Sequence, residues 1–359
     1  MFLRNAWYVA AAADEIGPAT PLGRTVCEQR LVFFRGADGR VTALEDWCPH
    51  RGAPLSLGRV VDGELVCGYH GLHMGCEGRA TAMPGQRVRG FPPVRRLPVA
   101  ERGGFVWVWP GDAAAADEAL LPVLPWDGDA GWAYGGGRMH VACDYRLMID
   151  NLMDLTHETY VHAGSIGQAE IDETPCRTRL EGDEAVTERL MHGVQAPPFW
   201  QAAMRAHGLP PDAPVDRWQV CRFAPPSHVM IEVGVALAGQ GGRDAPLAQR
   251  ASGVVVDFLT PETATTMWYF WGLARQFRPD DDALTAQIRQ DQQRIFQEDV
   301  AMLERQQANL LHWPQRELLR LNIDAGGVHA RRVIERRAEA ERGSPGAPAT
   351  IPVMAVQAA

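Results

Sequence analysis

Two short motifs of cysteine and histidine near the start of the sequence can bind a metal ion or a metal cluster. A C-x-H pair is followed, after sixteen intervening residues, by a C-x-x-H pair, and the two motifs supply Cys48, His50, Cys67 and His70. Two thiolates and two imidazoles can hold one tetrahedral zinc ion. They can also hold a [2Fe–2S] cluster, with both cysteines on one iron and both histidines on the other.

The glycines that flank these motifs favour the iron–sulfur cluster. Gly52 and Gly71 each follow a histidine closely, so the backbone can turn tightly around a bulky group. Zinc ribbons usually have paired C-x-x-C motifs, and zinc fingers have two histidines three to five residues apart; these two motifs show neither pattern. The stretch therefore predicts a [2Fe–2S] cluster, and structural zinc stays open as the alternative.

A second group of polar residues occurs in the string DNLMDLTHETYVH, where Asp154, His157 and His162 have the spacing D-x2-H-x4-H. Positions five apart on a regular helix are about 140° apart around its axis. The two histidines can therefore meet at one ion only if the helix ends or bulges between them. Two imidazoles and one carboxylate, with open positions, form the facial triad of non-haem Fe(II) oxygenases. The string predicts such a site, with its carboxylate supplied from elsewhere in the chain.

That carboxylate is predicted on a long helix over residues 282–311. Asp299 lies in the middle of the apolar stripe of this helix, four residues after Ile295 and four before Leu303. A lone buried carboxylate is strongly unfavourable unless it is paired or bound to a metal. Three other acidic residues fit the stripe less well, namely Asp291, Glu298 and Glu304. We therefore predict Asp299 as the third ligand.

The length and composition of the chain limit what can position these groups. With 359 residues, 46% of them apolar, the chain is long enough for two globular domains. Its formal net charge of -9 argues against nucleic-acid binding, because phosphate contacts need a basic face. No apolar run approaches the roughly 18–20 residues that span a bilayer. Asp14 and Glu15 interrupt the N-terminal apolar stretch too early for a signal peptide.

The cysteine content predicts a cytoplasmic protein. Seven cysteines in a chain of this length do not resemble a disulfide framework. Apart from the two in the metal motifs, they are scattered singly: Cys27, Cys76, Cys143, Cys176 and Cys221. Buried free thiols in a reducing compartment explain this distribution best.

The pattern of short runs predicts an α+β fold in two parts. Short β-prone runs separated by turn residues predict a small antiparallel β domain over residues 1–112, with the two Cys/His loops at its tip. Three longer β-prone runs between residues 227 and 274 predict strands of one larger sheet in a second domain, 113–340. The last residues, 341–359, are rich in alanine and proline and predict a poorly ordered tail.

The two metal motifs, in this order and separation, resemble the oxygenase components of Rieske non-haem iron oxygenases. The resemblance covers nearly the whole chain and is closest in the strings NAWYVA, EDWCPHRGAPLSLG, VCGYHGL, AMPGQRV, ACDYRLMIDNLMDLTHETYVH, RFAPPSHV and LNIDAGGV. These strings are similar to the vanillate O-demethylase branch, which includes dicamba-type demethylases. The resemblance implies an N-terminal Rieske [2Fe–2S] antiparallel β domain. It also implies a helix-grip (START-like) catalytic domain, in which a curved antiparallel sheet surrounds a long C-terminal helix.

The resemblance also implies partners and residue roles. It implies a head-to-tail homotrimer in which His70 of one subunit hydrogen-bonds Asp154 of its neighbour, while Asp154 also contacts His157 at a mononuclear Fe(II). Asn151 would lie beside that iron. Electrons would come from NADH or NADPH through a separate flavin and iron–sulfur reductase. No G-x-G-x-x-G motif follows a predicted strand here, which agrees with an outside electron supply.

The implied reaction is the O2-dependent O-demethylation of vanillate to protocatechuate and formaldehyde. The substrate carboxylate predicts a polar or cationic contact, and Arg222 in the string CRFAPPSHV is a candidate. Two alternative functions stay open. One is an oxygenase of the same family that demethylates or hydroxylates another methoxy- or hydroxybenzoate. The other is a Rieske electron-transfer or ligand-binding protein without oxygenase activity.

Overall fold

The computed structural model describes residues 2–343, which form two compact units. Within this range the first unit comprises residues 2–121, Thr260–Thr263 and 340–343, and the second comprises Pro122–Leu259 and Ala264–Glu339. The alanine-rich segment after Asp112 forms two short 3-10 turns, Ala113–Ala115 and Glu118–Leu120, inside the first unit. The first unit therefore includes both turns and continues to Leu121.

The first unit is built from three small antiparallel sheets. Their strands are β1 Tyr8–Ala12, β2 Leu22–Val26, β3 Gln29–Arg35, β4 Val41–Glu45, β5 Arg59–Val61, β6 Glu64–Val66, β7 His73–Met74, β8 Ala80–Ala82, β9 Arg96–Leu97, β10 Val99–Arg102 and β11 Phe105–Val108. The strand orders are β1-β11-β10, β2-β3-β4-β9 and β5-β6-β7-β8. The pairs are antiparallel, which confirms the predicted class of this unit.

A hydrophobic cluster fixes the positions of the two Cys/His loops. It contains Phe34 of β3, Leu44 of β4, Leu65 of β6 and the side chains of Cys48 and Cys67. Burial of an aliphatic or aromatic side chain contributes about 1.5–3 kcal/mol. The loops are thus anchored at their cysteines in the core that two of the sheets share.

The second unit is built on a seven-stranded sheet with the order β12-β18-β17-β16-β15-β14-β13. These strands are β12 Ala133–Val141, β13 Arg177–Glu181, β14 Glu184–Val194, β15 Val215–Ala224, β16 His228–Leu237, β17 Arg250–Pro261 and β18 Met267–Arg275. The strands pair antiparallel from β13 through β14, β15 and β16 to β17, and β12 pairs antiparallel with β18. The three runs predicted between residues 227 and 274 are β16, β17 and β18, and they are neighbours in one sheet, as predicted.

The described residues form six α-helices. They are α1 Tyr145–Met153, α2 Glu158–Val161, α3 Glu170–Glu173, α4 Pro198–His207, α5 Asp282–His312 and α6 Ala325–Gly343. The predicted long helix is α5, which ends one residue later than predicted. No helix within residues 2–343 has the length and apolarity that a bilayer span requires. The predicted tail, 341–359, begins inside α6, and its remaining residues lie outside the described ones.

The long helix α5 packs closely against the sheet. It begins after Asp281, whose carboxylate accepts a hydrogen bond from Leu284 N–H at 2.8 Å. At Gly135 of β12, a Cβ atom would lie 2.8 Å from the side chain of Thr285, so a glycine is required for this approach. The buried stripe of α5 consists of Ile288, Gln292, Ile295, Phe296, Asp299, Leu303 and Gln307. The sheet with its long helix confirms the predicted fold class of the second unit.

All seven cysteines are free thiols. Of the five outside the metal motifs, Cys27, Cys143 and Cys221 are buried, as predicted. Cys76 and Cys176 are only half-buried, so the prediction of complete burial is wrong for these two.

Candidate metal centres

The two Cys/His motifs lie on loops with the same backbone hydrogen bonds. In each loop the cysteine N–H donates to the carbonyl five residues later, at 2.9 Å for both Cys48 and Cys67. The glycine N–H donates back to the cysteine carbonyl, at 2.8 Å for Gly52 and 3.0 Å for Gly71. These glycines have φ values of 66° and 71°, in the left-handed region that favours glycine. Both loops therefore present their side chains in equivalent ways.

The side chains of these loops form an inner pair of thiols and an outer pair of imidazoles. Cys48 and Cys67 are each 2% exposed. His50 is exposed and His70 half-buried, and their ring centroids are 4.5 Å apart. Within the described residues, no three of the four ligand atoms lie within 4.8 Å of one another. One tetrahedral zinc would hold them about 3–4 Å apart. A two-iron cluster, with thiolates inside and imidazoles outside, fits this arrangement better.

The imidazoles and the thiols of these loops differ in how readily they lose a proton. Burial raises the pKa of the Cys48 thiol, and the neighbouring Cys67 raises it further. Desolvation and the charges of His50 and Arg51 lower the pKa of the His70 imidazole. The imidazole is therefore in the neutral form that binds metal, whereas the thiols need a bound cation to ionise readily.

The second group of ligands is presented by one turn of helix. α1 ends at Met153, His157 immediately precedes α2, and His162 immediately follows it. His162 has φ -113° and ψ 31°, so the helical conformation stops there, as the predicted convergence of the two rings required. The ring centroids of His157 and His162 are 5.2 Å apart.

Asp299 of α5 lies between these two rings. Its Oδ1 is 3.5 Å from His157 Nε2 and 3.1 Å from His162 Nε2. One donor atom from each of the three residues lies within 4.8 Å of the others. Asp299 and His162 are each 2% exposed. Asn151 of α1 donates from Nδ2 to the same Asp299 oxygen at 3.1 Å. The structure thus brings these four predicted site residues together.

Each histidine is oriented through its other ring nitrogen. His157 Nδ1 donates to the backbone carbonyl of Asp154 at 2.5 Å, and His162 Nδ1 is 2.7 Å from Glu298 Oε2. Such contacts fix the tautomer and leave Nε2 free to bind a metal. The Asp154 carboxylate accepts the Thr156 N–H at 2.8 Å. The contact between Asp154 and His157 therefore runs through the main chain, because the side chain caps the turn into α2.

The charges of the triad are strongly coupled. Burial opposes ionisation of Asp299, but hydrogen bonds from His157 and His162 outweigh it and lower the pKa of this carboxyl to about 2. Burial also opposes charge on His157, but Asp299 raises the pKa of this imidazole to about 9. A divalent cation can replace the imidazole protons, since metal-bound histidines are neutral. Two imidazoles and a carboxylate suit Fe(II) with open positions.

Arg222 does not face the triad. Side chains alternate along β15, and Gln219 and Cys221 face the α1–α2 side of the sheet, where they contact Glu158 and Leu152. Arg222 therefore lies on the opposite face, 2.7 Å from a carboxylate oxygen of Glu181. The prediction that Arg222 contacts the substrate is not supported, because its guanidinium is paired with Glu181 on the face of the sheet that points away from the triad.

Two acidic residues at the site had no predicted role. Glu298 is next to Asp299 on α5 and reaches His162, although its side chain is 47% exposed. Glu158 follows His157 directly and is 5% exposed. The sequence signal for both was their position beside a predicted ligand, since carboxylates commonly orient metal-bound histidines or the segments that carry them.

Known proteins resemble this chain in both units. The Rieske [2Fe-2S] domain profile matches residues 6–97, and the vanillate O-demethylase oxygenase C-terminal domain profile matches residues 141–340. The chain is 64% identical over 342 residues to the vanillate O-demethylase oxygenase subunit of Pseudomonas sp. (strain HR199 / DSM 7063), covering 95% of this chain and 96% of the relative. It is 66% identical over 319 residues to the subunit of the same name from Pseudomonas sp. (strain ATCC 19151), covering 89% and 97%.

A solved structure matches over the same extent. The crystal structure of dicamba monooxygenase bound to 3,6-dichlorosalicylic acid has a TM-score of 0.88 and 32% sequence identity. The match covers 96% of this chain and 100% of that one.

The first testable prediction concerns the turn at Gly52. A Cβ atom at this position would lie 2.3 Å from the Trp47 ring, so we expect Gly52→Ala to lower cluster content several-fold by displacing the loop. Visible absorbance and acid-labile sulfide in anaerobically purified protein measure this loss. Gly85→Ala is the control, because Gly85 has φ 70° with nothing within 4 Å. Equal cluster content in both variants would contradict the prediction.

The second prediction concerns Glu298. Glu298→Ala removes the partner of His162 Nδ1, and loss of such a contact typically weakens metal affinity 10–100-fold. We expect iron at the triad to dissociate correspondingly faster into a chelator, with cluster absorbance unchanged. Gln297→Ala, at an exposed neighbouring position of α5, is the control. Wild-type iron retention in the Glu298 variant would show that the contact does not support the site.

Proposed function

This chain belongs to the vanillate O-demethylase oxygenases of the Rieske [2Fe-2S] family, and from that membership we propose that it demethylates vanillate itself. Vanillate, O2, two electrons and two protons give protocatechuate, formaldehyde and water. The observation that carries the proposal is the triad of His157, His162 and Asp299 in a chain that also has a Rieske domain.

We assign the metal ligands as the geometry suggests. The cluster ligands are Cys48, His50, Cys67 and His70, and the ligands of the mononuclear iron are His157, His162 and Asp299. When bound, the cluster supplies single electrons, at roughly -150 to +300 mV, and the mononuclear iron activates O2. The hydrogen bond from Asn151 occupies one lone pair of Asp299 and limits the orientations of its carboxylate.

The inner face of the sheet supports a small polar aromatic substrate. Within the described residues, the buried side-chain atoms without a hydrogen-bond partner on this face include Gln219 Oε1, Asp257 Oδ2 and Trp271 Nε1, and Gln292 Oε1 of α5 is another unpaired atom. Each unpaired buried polar group costs about 1–3 kcal/mol, so a ligand with hydroxyl and carboxylate groups can stabilise this interior. The Phe296 ring lies 5.4 Å from the rings of both Tyr269 and Trp271, which gives this region apolar aromatic walls.

The proposal extends to partners. As an oxygenase component, the chain works with a separate reductase, which we take to be a flavin and iron–sulfur protein fed by NADH or NADPH. We further propose a head-to-tail homotrimer, in which the half-buried His70 of one copy donates to the Asp154 carboxylate of the next. Only one oxygen of that carboxylate is engaged by Thr156, which leaves the second available. Seven free thiols agree with a cytoplasmic enzyme.

Product analysis tests this function. Anaerobically purified protein should contain about three iron atoms per chain, two in the cluster and one at the triad. With a surrogate reductase, NADH, O2 and vanillate, it should release formaldehyde and protocatechuate in equal amounts. Asp299→Ala should retain the cluster iron and lose both the third iron and turnover. Formaldehyde from another methoxybenzoate alone would reassign the substrate. About two irons per chain and no formaldehyde would indicate an electron carrier.

A further prediction concerns Asp154. Asp154→Asn keeps an oxygen that can accept the Thr156 N–H, and it leaves the backbone contact with His157 intact. We therefore expect both metal contents to stay at wild-type levels, while NADH-coupled turnover falls by at least 100-fold because the charged link between copies is lost. Iron analysis combined with formaldehyde assays measures both quantities. Full turnover at unchanged iron content would contradict the role of this carboxylate.

A further inference from the structure

The segment that carries both histidines has little secondary structure of its own. Between the end of α1 and the start of β13 it contains only the two four-residue helices α2 and α3. A single helical turn is unstable alone, because its nucleation is unfavourable. The positions of His157 and His162 must therefore be fixed by contacts with the sheet beneath them.

One set of contacts holds Glu158, the first residue of α2. Its carboxylate accepts from Arg217 Nη2 at 3.0 Å and from Gln219 Nε2 at 2.5 Å. Arg217 and Gln219 are two residues apart on β15 and so face the same side of the sheet. Arg217 also donates from Nη1 to Gln168 at 2.6 Å. Glu158, Arg217 and Gln219 are all at most 5% exposed.

A second set of contacts comes from Arg189 of β14, which is 2% exposed. Its guanidinium donates to the Leu155 carbonyl at 2.5 Å and to Thr156 Oγ1 at 3.0 Å, just before His157. The same group donates from Nε to the Thr174 carbonyl at 3.1 Å, beyond α3. Arg189 thus binds the segment at both ends, while Glu158 is held three residues after Leu155, within α2.

The chemistry of these contacts indicates that they orient the segment as well as stabilise it. A buried ion pair is often no more stabilising than apolar side chains of similar volume. Its hydrogen bonds are directional, however, and the planar guanidinium has donors in fixed positions. Such contacts restrict both translation and rotation of a one-turn helix with a histidine at each end.

We propose that Glu158, Arg189 and Arg217 form a positioning clamp that sets the separation of the two histidines and thereby controls retention of the mononuclear iron. Within the described residues, the hydrogen bonds of these three residues reach neither Asp299 nor the histidine side chains, so the three residues act through the segment. The proposal rests on the iron site assigned above, and it adds the residues that keep the two histidine ligands in position.

Iron release from the complete oxygenase tests the clamp. In Arg217→Met we expect iron to dissociate into a chelator at least tenfold faster, with cluster absorbance unchanged. We expect kcat to fall and KM for vanillate to change less than twofold. Arg217→Lys should restore slow release only in part, because an ammonium cannot reproduce the two-pronged contact to Glu158 and Gln168.

A double variant separates positioning from stability. Glu158→Leu combined with Arg217→Leu removes both buried charges, and of the buried groups only the Gln219 amide loses its partner, so the melting temperature of the double variant should lie above that of Arg217→Met, in which the Glu158 charge is left unpaired. Fast iron release should persist, since the directional contacts are still absent. Wild-type iron release in this stable double variant would overturn the proposal.

A matched control exists in the first unit. Arg24 and Glu15 form another buried ion pair, at 2.6 Å, with side chains 4% and 8% exposed. Arg24→Met should lower the melting temperature without faster iron release. An equal acceleration in this control would show that any lost buried pair releases iron, and would overturn the clamp. Absence of triad iron in the wild type would instead overturn the proposed function itself.

Discussion

The second unit depends on one electrostatic constraint, namely that a carboxylate and two imidazoles must lie in contact with one another away from water. Asp299 is 2% exposed, and its Oδ1 lies within 3.5 Å of both His157 Nε2 and His162 Nε2. Such a group is stable away from water only when positive charge accompanies it, whether as protons on the rings or as a metal ion. The ligands come from segments more than a hundred residues apart, so the fold must hold both segments rigidly.

Different elements of the fold position different ligands of the site. The sheet supplies a rigid base, and α5 brings Asp299 and Glu298 to it from one side. The histidines sit at the two ends of a single helical turn, which makes their separation short but leaves that turn dependent on buried arginines. In the first unit the cysteines are fixed by a hydrophobic cluster and by glycine turns. Apolar packing therefore positions one set of ligands, and polar contacts position the other.

Much of this could be predicted from the sequence, because the relevant signals are local. The Cys/His spacing and the flanking glycines belong to short contiguous motifs, and Asp299 was conspicuous as a charge within an apolar helical stripe. The failures involve long-range pairing. Whether Arg222 faces inward depends on the register of β15 in the sheet, and its sequence neighbours do not reveal that register. Arg189 and Arg217 look like ordinary exposed strand residues until the sheet shows that a polar loop covers them.

The glycines of β12 have a consequence for attempts to redesign this enzyme. Because Thr285 of α5 contacts the strand at Gly135, a larger residue there would displace the first turn of the helix, and Asp299 lies roughly 21 Å further along the axis. A helix tilt of about 3° would move the carboxylate by roughly 1 Å over that length, which is comparable to the tolerance of a metal site. Mutational libraries that broaden substrate choice should therefore leave Gly135 unchanged, although it lies far along α5 from Asp299.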